Sequence, residues 1–89
     1  MLIPVNFSIG RVPKLPNGRH MLSGDVEIYI LNGKKHRVGG PAEINHRTGY
    51  KAWFNNGVLH CADGPAVIDP VKKIKEFWNK GRYIRSETL

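Results

Sequence analysis

The chain repeats itself without a gap. Residues 33–56 and 57–80 are two windows of 24 residues, and eight of their positions are identical: Gly33/Gly57, His36/His60, Gly40/Gly64, Pro41/Pro65, Ala42/Ala66, Ile44/Ile68, Lys51/Lys75 and Asn55/Asn79. Ordinary composition would give about one or two such matches. Further pairs are conservative, among them Asn45/Asp69, Tyr50/Ile74, Trp53/Phe77 and Phe54/Trp78. A chain built this way must place equivalent residues in equivalent surroundings, because each unit buries its apolar face against its neighbour. A shorter, degenerate copy covers residues 17–32. In it Asn17-Gly18-Arg19-His20 stands for Asn32-Gly33-Lys34-Lys35-His36, and Gly24-Asp25-Val26-Glu27-Ile28 stands for Gly40-Pro41-Ala42-Glu43-Ile44. A partial copy covers residues 81–85. The expected organisation is one domain over residues 1–89.

Each unit reads as β-structure. Asn32-Gly33 and Asn56-Gly57 are the strongest short hairpin signals, since a type I′ turn needs positive φ at both central residues. Gly81 holds the equivalent place. Tyr50-Lys51-Ala52-Trp53-Phe54 is short and aromatic, Val26 to Leu31 alternates, and Thr48-Gly49 marks another turn. Pro41 and Pro65 stand where a strand begins, a position that tolerates the loss of a backbone donor. The expected fold is all-β, an antiparallel meander of repeated hairpins, with Ile44 and Ile68 equivalently buried.

One segment carries conflicting signals. Asp69-Pro70 matches a helix N-cap followed by proline at the first helical position. Val71, Ile74 and Trp78 then share a helical face, with Gly81 as a stop, which gives a short C-terminal helix over residues 70–80. The repeat phase instead places a strand over residues 73–79, and the strand is the expectation adopted.

The unit Asn-Gly-x-x-His-x-x-x-Gly-Pro-Ala, closed by an aromatic pair before the next Asn-Gly, resembles short hairpin repeats of phage, giant-virus and bacterial proteins. It is loosely similar to MORN-type repeats. His36, Gly40, Pro41, Ala42 and His60, Gly64, Pro65, Ala66 carry the resemblance. Asp25-Val26 replaces Pro-Ala in the first copy, and Ile84 replaces histidine in the last. The resemblance implies a twisted sheet of hairpins and a phage or viral origin. Together with the small size, it suggests an accessory factor that binds and inhibits a host protein or a defence complex, of the anti-CRISPR kind.

Charge and chemistry narrow the function classes. The formal net charge is +7, and between Val71 and Arg85 six cations face Glu76 alone. Such a tract points to nucleic acid or to an acidic protein surface. With the aromatic pair interleaved, Lys72, Lys73, Lys75, Phe77, Trp78, Lys80, Arg82 and Arg85 form the candidate interaction face. Of Phe77 and Trp78, adjacent on a strand, one should enter the core and the other should face outward as an anchor for a protein or for stacked bases. The alternative is that the second face is covered, for instance by Leu2 to Val12. The run Lys34, Lys35, Arg37 is the comparison patch.

No catalytic set is legible, so no enzymatic activity and no cofactor are expected. Cys61 follows His60 directly, which puts their side chains on opposite faces of a strand. The histidines recur once per unit without paired ligands, so His20, His36 and His60 read as elements tying one hairpin to the next rather than as metal ligands. Glycine and lysine occur without nucleotide-cradle spacing. One cysteine precludes an intramolecular disulfide, and Met1 to Val5 lacks the pattern of a secretory signal. A cytoplasmic, non-membrane protein is expected, with a host protein or ribonucleoprotein, RNA or DNA as partner.

Overall fold

The computed structural model describes residues 15–89, and these form ten strands and no helix. In chain order they are β1 (Gly18–Leu22), β2 (Val26–Leu31), β3 (Lys34–Lys35), β4 (Glu43–Asn45), β5 (Lys51–Ala52), β6 (Phe54–Asn55), β7 (Val58–Leu59), β8 (Val67–Asp69), β9 (Ile74–Asn79) and β10 (Arg82–Thr88). The main sheet runs β1-β2-β4-β5-β8-β9-β10, with β3 also on β2, while β6 and β7 pair separately. Every pairing is antiparallel.

The turns follow from local chemistry. Asn32 and Gly33 have φ of 52° and 76°, Asn56 and Gly57 have 49° and 87°, and Lys80 and Gly81 have 50° and 82°. All three are therefore left-handed at both central residues, the geometry that matches strand twist. The degenerate first copy departs from this. Of Asn17 and Gly18, only Gly18 has positive φ, at 118°, and the β1–β2 turn is made instead by Gly24 and Asp25.

Backbone bonds recur at the spacing of the sequence windows. Tyr29 N–H donates to Ala42 O and Trp53 N–H to Ala66 O; His36 N–H donates to Tyr29 O and His60 N–H to Trp53 O; Gly57 N–H donates to Lys35 O and Gly81 N–H to Leu59 O. These bonds also explain why Tyr50–Phe54 is not one continuous strand. At Trp53 the chain leaves β8 and turns to β7, so β5 and β6 lie in different sheets.

The segment with conflicting signals is a turn followed by a strand, not a helix. Asp69 Oδ1 accepts the N–H groups of Val71 and Lys72, both at 3.1 Å. Asn45 Oδ1 does the same for Arg47 and Thr48, at 3.0 and 3.1 Å. The acidic cap therefore closes a tight turn. Lys73, at φ 59°, then reverses the chain where Gly49 does so one unit earlier.

The core is small and lies along one cross-strand row, Ile28, Glu43, Ala52, Val67 and Glu76. Ala42, Ala52, Phe54 and Val67 are buried, with Tyr29, Tyr50, Leu59 and Trp78 packed against them; Ile28 and Ile30 form a second cluster. Ile44 and Ile68 are only half-buried, against expectation. They stand in the other row, Glu27, Ile44, Lys51, Ile68, Lys75 and Glu87, in which Lys51 and Glu87 are exposed while Glu27 is buried. The fully buried equivalents are Ala42 and Ala66. The segment Leu2 to Val12, the alternative cover for the second face, and Met1 to Val5 lie outside the described residues.

Candidate functional site

The C-terminal hairpin carries all the sequence-predicted residues but distributes them over three places. Lys72 and Lys73 sit in the turn before β9, and Lys80 and Arg82 sit at its far end. At about 3.3 Å per residue those ends are roughly 20 Å apart. Lys75, Phe77 and Arg85 come together on one face. The Arg85 guanidinium lies 4.0 Å from the centre of the Phe77 ring, and its Nε donates to Glu87 at 2.9 Å. Lys75 Nζ stands 3.7 Å from the same carboxylate. Trp78 points the other way. It packs on the Ala52–Phe54–Val67 cluster, donates Nε1–H to Glu76 at 3.0 Å, and meets Tyr83 edge-on with ring centres 5.5 Å apart.

Phe77 is thus the outward member of the pair, and arginine covers its ring. Beside it lies a cleft of about 390 Å³, bounded by His60, Cys61, Phe77, Trp78, Ile84 and Arg85. The β9–β10 register slips between Tyr83 and Arg85, which leaves Ile84 unpaired in a bulge. β10 is exposed along its whole length and has no neighbour on its outer side among the described residues. Tyr83 and Ile84 are each 54% exposed and Leu89 55%. These apolar residues were missed in the sequence, where they look like a partial repeat. The signal that could have found them is the repeat itself: Tyr83 stands at the position of Leu59, a residue that packs on the core cluster one unit earlier.

The comparison patch is not a surface patch. Lys35 is fully buried, with Nζ 2.5 Å from Glu43 Oε1 and 5.0 Å from the centre of the Phe54 ring. Burial lowers its pKa, and the Glu43 carboxylate opposes that shift. Arg37 lies over the Tyr29 ring at 4.0 Å. Only Lys34 of the three is exposed.

The histidines act on the backbone. His36 Nδ1 accepts Asn56 N–H at 2.9 Å, and His60 Nδ1 accepts Lys80 N–H at 3.0 Å. Each locks the next hairpin turn. His20 does not share this role: its Nε2 contacts Pro16 O, and the Asn32 N–H is taken by Asn17 Oδ1 at 2.7 Å. His46 Nε2–H donates to Glu27 at 2.7 Å. Glu27 also accepts from the Tyr29 hydroxyl and from Arg19, and these hydrogen bonds, Tyr29 foremost, hold its pKa down at about 2. Among the described residues no three His, Cys, Asp or Glu side chains converge on a point that could hold a metal ion. No helix among them is long and apolar enough to cross a membrane.

No protein-family model, curated protein or solved structure matches the chain. The geometry of the hairpin is therefore what bears on function.

Proposed function

We propose that this chain is a small protein-binding module, and that it docks an acidic protein surface through the β9–β10 hairpin. The observation that carries this reading is β10 itself, a seven-residue exposed strand with apolar Tyr83 and Ile84 set between Arg82 and Arg85, and followed directly by exposed Leu89. Unpaired strand edges recruit partner strands, and exposed aromatic and aliphatic groups ringed by charge are typical interface anchors. The cations at both hairpin ends would steer an acidic partner into place.

The nucleic-acid reading has less support. Base stacking needs an aromatic face turned to solvent. Phe77 is covered by Arg85, Trp78 is packed inward, and Tyr83 meets Trp78 edge-on. A phage accessory factor that inhibits a host protein or defence complex is the biological role in keeping with the resemblance of the repeat.

The test is affinity capture from a bacterial lysate with and without nuclease, using the wild type and the charge-reversed hairpin K80E/R82E. Capture that survives nuclease, loses strength with salt and fails in the variant is the expected result. Capture abolished by nuclease would replace the protein partner with a nucleic acid.

A further inference from the structure

Three aromatic residues stand at one repeat position, Tyr29, Trp53 and Phe77. Eight residues after each comes the residue positioned to cover it: Arg37, Cys61 and Arg85. In the outer two pairs the arginine does so, with Cζ 4.0 Å from the ring centre in both. Arg37 makes the arrangement more specific. Its Nη1 donates to Pro41 O at 3.1 Å, and its guanidinium occupies the space where a Cβ on Gly40 would stand, only 2.9 Å from Cζ. Gly40 is thus one wall of a guanidinium slot whose other wall is the Tyr29 ring.

The middle unit keeps the walls and changes the occupant. Trp53, Gly64 and Pro65 hold the places of Tyr29, Gly40 and Pro41, and the backbone bonds that set Tyr29 and Ala42 recur at Trp53 and Ala66. Cys61 is too short to reach over the ring as Arg37 does. Around the Cβ direction of Gly64 no described atom lies within 4 Å. Trp53 is half-buried, and among the described residues no cation lies over its ring as one does at Tyr29 and Phe77. Indole is also the best of the aromatic rings for holding a cation.

We propose that Trp53, Gly64 and the Pro65 carbonyl form a binding slot for the guanidinium of an arginine side chain carried by a partner polypeptide. The chain's own Arg37 and Arg85 define what the slot accepts. Arginine rather than lysine fits, because a planar guanidinium can lie flat on the ring while an N–H reaches the carbonyl. The site is independent of the β9–β10 docking reading, since none of its residues belongs to that hairpin.

The experiment follows the two indole N–H resonances by NMR, assigned with W53F, while N-acetyl-arginine N-methylamide is titrated. A parallel titration uses the lysine analogue, and a third uses free arginine. Trp53 should shift and saturate at millimolar concentration, the range a single cation–aromatic contact supports, and Trp78 should not. The peptide-like arginine and free arginine should behave alike, because the slot reads the guanidinium. The lysine analogue should bind at least about tenfold more weakly. Two variants locate the site. G64A places a Cβ where the guanidinium must lie, at a residue whose φ any amino acid adopts, so it should stay folded and lose the response. C61R supplies the arginine from within, so its Trp53 resonance should start shifted and stay unmoved. An unresponsive Trp53 in the wild type, an equal response to lysine, or an undiminished response in G64A would each overturn the proposal.

Discussion

Lys35 and Glu43 form a buried ion pair, 2.5 Å apart, on the two positions that Leu59 and Val67 occupy one unit later. The same place in the repeat is thus filled once by charge and once by hydrocarbon. Buried pairs gain little over apolar replacements, because desolvation offsets their attraction, whereas removing one partner strands the other. The double variant K35L/E43V should therefore be as stable as the wild type or more so. K35L alone should lose about 3 kcal/mol. Urea unfolding of the three proteins decides this. A double variant that is less stable than K35L would show that the pair holds the fold.

Glu27 should make the fold sensitive to acid. Its folded pKa is near 2, below its ordinary value of 4.5, because the Tyr29 hydroxyl, His46 and Arg19 all bond its ionised form. A depressed carboxylate pKa contributes stability that is complete above the unfolded value and is lost as pH falls toward the folded one. The stability difference between wild type and E27Q should thus be constant from pH 7 to about 5 and shrink between about 4.5 and 2. Denaturant midpoints at several pH values measure it. A difference that holds unchanged down to pH 2 would show that Glu27 is not held ionised by these groups.

His36 and His60 should be replaceable by asparagine but not by alanine. H36A leaves the Asn56 N–H without its acceptor and should cost about 1 kcal/mol. H36N should recover part of that loss, since Asn17 Oδ1 already serves Asn32 in this way. Thermal melts of the two variants, and of the matching pair at His60, check it. Equal melting temperatures for the alanine and asparagine forms would count against the turn-locking role.

Lys73 and Lys80 are non-glycine residues held at φ 59° and 50°. K73G and K80N restore the residues found at the equivalent positions, Gly49 and Asn56. Each should leave stability unchanged or raise it by about 0.5–1 kcal/mol. Because each also removes a cation, the pair tests charge without disturbing the fold. Weaker partner capture by K73G/K80N, at undiminished stability, would assign the loss to electrostatics.

The sequence by itself determined the turns, the strand class and the phase. Asn-Gly pairs dictate positive φ wherever they fall between strands, and a gapless repeat carries one unit's bonding onto the next. That is why residues 74–79 are a strand although Asp69-Pro70 looks like a helix start. It could not determine which lysine is buried, because Lys34 and Lys35 are the same letter and only the pairing of Lys35 with Ile30 turns it inward toward Glu43. It could not show that Ile44 and Ile68 are only half-buried, since that depends on which residues, Lys51 and Lys75 among them, stand across from them in the sheet. Nor could it divide the basic tract. A strand alternates its side chains, so residues contiguous in sequence go to opposite faces and opposite ends. Only the register of β9 against β10, slipped by one residue at Ile84, joins Arg85 to Phe77.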